Sequence, residues 1–138
     1  MLNLLLEKIK AGKIISREMF DQADMDELLD LRDAPAFDAA WMRVFNRLKD
    51  LSCPGTDREI IDEIGKASYL KAYEVSKSSE IASCVSDDFN LFARAYVASI
   101  SDRWLNSVML KYAGNTFPCG EIEQIEMNMD EVFQRLLK

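Results

Sequence analysis

The sequence predicts an all-α fold, a compact single-domain bundle of about six to eight helices. Apolar residues recur at a spacing close to 3.6 from end to end. No stretch of four to eight residues alternates β-branched and polar side chains between turn signals. Composition agrees: 49% hydrophobic and 30% charged residues, with only five Gly and three Pro in 138 residues, describe a chain rich in regular structure and long enough to bury one core.

The first helix spans Leu2 to Ala11 and ends at Gly12, and Ser16 is placed to cap a turn leading into Met19 and Phe20. Asp24, followed three positions later by Glu27, has the form of a capping box that opens a helix burying Met25, Leu28 and Leu29 and running to about Arg32. Pro35 suits the first position of the next helix, whose stripe is Phe37, Trp41, Val44, Phe45, Leu48 and Leu51. Cys53-Pro54-Gly55 ends it. Thr56 with Glu59 is read as a second capping box, for a segment carrying Ile60, Ile61 and Ile64. Beyond Gly65 the stripe would place Lys71 near its apolar centre, so a bend is expected between Gly65 and Ser68.

In the second half, Ser86 and Asp87 are expected to cap a helix with Phe89, Phe92, Ala93, Tyr96 and Ile100 on one face. Ser101 is expected to cap another, with Trp104, Leu105, Val108, Met109 and Tyr112, stopping at Gly114. Asn115 to Gly120 reads as a loop around Pro118. The last helix takes its stripe from Ile122, Ile125, Met129, Val132, Phe133 and Leu136.

The chemistry is bounded first by what is missing. With no histidine, a Ser-His or Cys-His nucleophile pair and a His-ligated metal are excluded, leaving only carboxylate, lysine or tyrosine chemistry. The sequence therefore reads as a non-enzyme that needs no cofactor. Cys53, Cys84 and Cys119 are odd in number and lack a C-x-x-C pair, so reduced thiols and a cytoplasmic location are expected. No apolar run approaches the roughly 20 residues that cross a bilayer, and Gly12-Lys13 stands where a signal peptide would place its cleavage site. Asp24-Met25-Asp26 lacks the remaining ligands of a calcium loop, since Leu28 and Leu29 follow.

Charge is the informative positive signal. The formal net charge is −7. Between Glu18 and Asp38 stand Glu18, Asp21, Asp24, Asp26, Glu27, Asp30, Asp33 and Asp38 against the single cation Arg32. Asp26, Asp30 and Asp33 fall at i, i+4 and i+7 and share one helical strip. Taken one by one, acids near helix starts cap, complement the dipole and confer solubility. As a one-sided cluster they repel nucleic acid and anionic membranes and speed encounter with a basic protein.

Arg58 to Ser68 also has the form of the first helix and glycine turn of a helix-turn-helix, with a second helix over Ser68 to Lys77. That second helix carries Glu74 and Glu80 beside Lys71 and Lys77 and offers little net attraction to phosphates. A DNA-binding regulator and a helical adaptor that assembles through an apolar face remain the alternatives.

The stretch Ser86-Asp87-Asp88-Phe89, then Trp104-Leu105, Tyr112, Gly114 and Phe117-Pro118-Cys119-Gly120-Glu121, resembles the small helical immunity proteins of bacterial contact-dependent growth inhibition and related polymorphic toxin systems. The resemblance covers residues 79 to 121. It implies a protein that binds and neutralises a cognate toxin domain, often a nuclease, in the cytosol of the producing cell. Charge, independently of the resemblance, selects Asp21, Asp24, Asp26, Glu27, Asp30, Asp33, Glu121 and Glu123 as partner contacts.

Overall fold

A computed structural model describes all residues from Met1 to Lys138. Seven α-helices and one 3-10 turn, with no strand, account for its regular structure: α1 (Leu2–Lys10), the 3-10 turn (Arg17–Met19), α2 (Met25–Asp33), α3 (Pro35–Leu48), α4 (Gly55–Ser76), α5 (Ser79–Val97), α6 (Arg103–Ala113) and α7 (Met129–Leu136). The all-α class predicted from periodicity is the one observed. None of these helices is long and apolar enough to cross a membrane.

The centre of the bundle is the helical pair α4 and α5, joined by a tight turn at Lys77, whose φ of 60° ends α4 in the left-handed region. Ser78 then caps α5, its Oγ accepting from the Ile81 N–H. Ser86 and Asp87, expected to open this helix, lie inside it, because Ser78 provides the cap two turns earlier.

The expected bend after Gly65 is absent, and α4 runs unbroken through Gly65 to Ser68. The glycine marks a close helix crossing. Ser86 Oγ donates to the Gly65 carbonyl at 2.8 Å, and a Cβ on Gly65 would sit 3.5 Å from that same oxygen. Ser68 Oγ donates to the Ile64 carbonyl, and Lys71 keeps its ammonium at the surface, 3.4 Å from Glu74. Without a turn between Gly65 and Ser68, the helix-turn-helix alternative loses the element that defined it.

Other boundaries move for local reasons. Thr56 lies inside α4, which starts at Gly55 with no side-chain cap, so the second capping box does not form. Asp102, one residue after Ser101, caps α6 by accepting from the Leu105 N–H at 3.0 Å. The last helix begins only at Met129, where Asn128 caps it. Glu121 to Asn128 is instead an irregular segment across α6, anchored by Ser107 Oγ, which accepts from the Ile125 N–H, and by Asn106 Nδ2, which donates to the Met127 carbonyl. Ile125, expected on the buried stripe of that helix, is consequently exposed, as is Leu51 beyond the end of α3.

The core itself is continuous. Leu5, Ile9, Ile64, Ile81, Phe89, Phe92, Leu105 and Phe133 are buried within one apolar cluster that draws on α1, α4, α5, α6 and α7. α2 is the exception: Met25, Leu28 and Leu29 are only half-buried, and its sole buried residue is Arg32.

Candidate partner-binding surface

An arginine buried on an otherwise peripheral helix requires a compensating anion. Asp88, on α5 and fully buried, supplies it through two hydrogen bonds, Arg32 Nη1 to Asp88 Oδ2 at 2.7 Å and Arg32 Nη2 to Asp88 Oδ1 at 2.9 Å. The carboxylate is saturated from two further sides, by Tyr112 Oη of α6 at 2.6 Å and Trp41 Nε1 of α3 at 3.0 Å. Arg32 also donates to the Pro118 carbonyl at 3.2 Å, and its guanidinium sits 4.1 Å from the Phe37 ring centroid. One carboxylate thereby ties four helices and the loop after α6 to one another.

The electrostatics follow from this geometry. Burial alone would lower the Arg32 pKa, but Asp88 outweighs it and holds the guanidinium charged. Burial and the neighbouring Asp88 charge push the Tyr112 hydroxyl well above its ordinary value, which fixes it as a donor and removes it as a phenolate nucleophile. The thiols of Cys84 and Cys119, close to Arg32, are likewise pushed up by burial, so neither has the depressed pKa of a reactive cysteine.

A second anchor operates on α3. Asp102 receives Arg43 at 2.9 and 3.2 Å, with Arg47 at 3.7 Å, while capping α6. Burial would raise this carboxyl, but the Arg43 hydrogen bond and the Leu105 N–H hold it below its ordinary value.

Around the first anchor lies the acidic strip. The eight carboxylates selected from the sequence, Asp21, Asp24, Asp26, Glu27, Asp30, Asp33, Glu121 and Glu123, are all exposed, and none enters an ion pair. Asp24 caps α2, accepting from the Asp26 and Glu27 N–H groups. Glu121 is drawn to the end of α2 by a backbone clip in which the Gly120 N–H donates to the Leu31 carbonyl at 3.2 Å. Gly120 has a φ of 69°, a conformation natural to glycine. Glu123 lies past this clip, with no hydrogen bond to α2.

Sequence reasoning missed two residues here. Asp87 was assigned as a cap, yet it lies at the surface of α5, where the Cys84 thiol feels its charge together with that of Asp33. Crowding by protein and by Asp88 raises the Asp87 pKa, as expected for a carboxylate added to an already negative region. Asp88 was the other omission. Adjacency to Asp87 carried no signal, since neighbouring acids such as Asp26 and Glu27 on α2 or Asp62 and Glu63 on α4 are both exposed.

Comparison with known families supplies what the geometry leaves open. The family model described as immunity protein PIM1 matches residues 4–119. The chain belongs to this family. The match is wider than the stretch from 79 to 121 on which the sequence resemblance rests, and it takes in the acidic α2. No individual curated protein matches the chain. Membership of an immunity protein family implies a cognate toxin protein as partner.

Proposed function

We propose that the chain neutralises its toxin by docking the acidic strip of α2, with Asp21, Asp24, Asp26, Glu27, Asp30, Asp33, Glu121, Glu123 and the added Asp87, onto a basic toxin domain. The toxin is of the nuclease type, delivered by a contact-dependent or related polymorphic system, and is met in the cytoplasm. Occlusion of a phosphate-binding surface is sufficient for inhibition, so the chain needs no catalysis and no cofactor.

The observation that carries this reading is that a helix whose only buried residue is Arg32 is fixed by a polar anchor of five residues and displays Asp26, Glu27, Asp30 and Asp33 without cation partners. Unpaired surface charge contributes little to stability but raises association rates by one to three orders of magnitude against a complementary surface. Reversing Asp26, Asp30 and Asp33 to Lys is expected to slow association with the toxin by about tenfold or more at low salt, with little change in thermal stability. An unchanged association rate would remove the acidic strip from the interface.

A further inference from the structure

One flank of α3 carries aromatic surface that the core does not absorb. Trp41 and Phe45, expected on the buried stripe of that helix, are only half-buried, and Met42 beside them is 40% exposed. The two rings stack, with centroids 5.5 Å apart and planes 15° from parallel. The indole is held by its nitrogen: Trp41 Nε1 donates to Asp88 at 3.0 Å, the carboxylate that also anchors Arg32 and Tyr112. That bond fixes the ring while part of the aromatic pair stays open to water.

The charge around the pair is negative. Asp38, one turn before Trp41 and two before Phe45 on the same flank of α3, is exposed and makes no ion pair. Asp87, next to Asp88 on α5, is also exposed and unpaired. The Cys84 thiol feels both Asp87 and Asp33, so the end of the α2 strip reaches the same side of the molecule. Arg43 and Arg47, two positions beyond Trp41 and Phe45, face the other flank and are taken up by Asp102. Lys49, one turn past Phe45, bounds the surface at its far end.

Stacked rings beside carboxylates favour a guanidinium. It is planar, weakly hydrated, stacks on an indole and pairs with a carboxylate, whereas an ammonium is a strongly hydrated point charge. Phosphate-bearing ligands are repelled by Asp38 and Asp87. A ring already fixed loses little freedom on binding, and Trp and Arg are prominent among the few residues that carry most interface affinity.

We infer that Trp41 and Phe45, with Asp38 and Asp87, form the affinity-determining centre of the toxin interface and receive an arginine side chain of the basic toxin domain. The toxin as source of that arginine rests on the immunity reading; the guanidinium preference of the aromatic pair does not. The α2 carboxylates then steer the encounter and the aromatic centre holds the complex once formed, so the two surfaces act on different rate constants.

The first arm of the test follows the indole N–H resonances of Trp41 and the buried Trp104 in the full chain. It is titrated with the peptide acetyl-Gly-Arg-Gly-Arg-Gly-amide, its lysine and citrulline counterparts, and octauridylate. The arginine peptide is expected to shift Trp41 and leave Trp104 unmoved, with the lysine peptide about threefold weaker and the uncharged citrulline peptide inert. An unmoved Trp41, or an equal response to citrulline, would overturn the cation site. A response to octauridylate alone would replace the arginine by nucleic acid.

The second arm measures association and dissociation rates with the toxin domain of the adjacent open reading frame, using Phe45→Leu and Asp87→Asn, both of which keep the Trp41 bond to Asp88. Phe45→Leu is expected to speed dissociation at least about fivefold and Asp87→Asn about threefold, with association changed less than about twofold. Asp87→Asn separates binding from structure, because it is expected to raise the Tm at pH 7 while loosening the complex. Unchanged dissociation in both folded variants would overturn the aromatic centre. A concentration-dependent dimer in sedimentation that Phe45→Leu abolishes would overturn the toxin as occupant in favour of a second copy. If the wild type does not bind this toxin while the arginine peptide moves Trp41, the immunity reading fails for that toxin and the guanidinium site stands.

Discussion

Replacing Asp88 by Ala is the perturbation whose consequence is most tightly set by the structure. The substitution leaves the Arg32 guanidinium buried without its anion, and leaves Trp41 Nε1 and Tyr112 Oη without an acceptor. Removing one partner of a buried ion pair costs about 3–5 kcal/mol, and each stranded neutral donor about 1–3 kcal/mol more where it stays dry. Relaxation and water entry absorb part of this, so a loss of about 4–6 kcal/mol is expected, comparable with the whole stability of many domains. Arg32→Met costs less, about 2–4 kcal/mol, because Asp88 keeps two donors while the Pro118 carbonyl loses one.

The assay is urea unfolding of wild type, both single variants and the double variant, followed by far-ultraviolet circular dichroism. A coupling of about 2 kcal/mol or more between Arg32 and Asp88 is expected in the double-mutant cycle. An Asp88→Ala variant within about 1 kcal/mol of wild type, or additivity across the cycle, would refute the reasoning. Reversibly unfolding variants are needed, and should Asp88→Ala not fold, Asp88→Asn retains one acceptor oxygen and is expected to fall between the two.

Tyr112→Phe removes a single donor to Asp88 and is expected to cost about 1–2 kcal/mol in the same urea titration, with the ring packing against Phe89 retained. Two carboxylates shape the acid limb of stability in opposite senses. Asp102 has a depressed folded pKa, so its contribution is present above the ordinary Asp value and is lost as pH falls through the folded pKa. Asp87 has a raised folded pKa, so its favourable contribution exists below the ordinary value and is gone once pH exceeds the folded one. Asp87→Asn is therefore expected to raise the Tm at pH 7 and to have a smaller effect near pH 3, whereas Asp102→Asn lowers it at pH 7; thermal melts across pH 3 to 7 check both signs. Gly65→Leu, which forces a long side chain towards Ser86 and Asn90, is expected to destabilise the α4–α5 pair by about 1–3 kcal/mol in thermal or urea unfolding.

The fold class was legible because burial along α3, α5 and α6 follows helical periodicity, with Phe37, Val44 and Leu48 or Trp104, Leu105 and Val108 all facing the core. Helix boundaries were less legible where two capping residues stand close together. Ser101 and Asp102 are equivalent on paper, and the carboxylate prevails because Arg43 and Arg47 meet it there. Gly65 illustrates a different limit: a glycine permits a turn or a close crossing, and only Ser86, 21 residues away, decides between them. The same holds for Ile122 and Ile125, whose spacing suits a helix although the segment is spent crossing α6.

The acidic strip was visible as local charge, and the structure leaves its carboxylates exposed and free of cations. What spacing could not disclose was the anchor beneath it. Arg32 reads in sequence as the lone cation of an acidic block, a solvated counterion, and becomes the buried centre of the strip only because Asp88 lies 56 positions further along the chain. The clip from Gly120 to Leu31, which brings the chain at Glu121 to the end of α2, is equally long-range.

The most direct test of the central claim is a growth assay in which the open reading frame adjacent to this gene supplies the toxin domain, co-expressed with the wild-type chain or with the Asp26→Lys/Asp30→Lys/Asp33→Lys variant. Rescue by the wild type with a co-purifying complex, and failure of rescue by the folded variant, is the predicted result. Equal rescue by both would contradict the acidic docking surface, and no rescue by either would contradict neutralisation of that toxin.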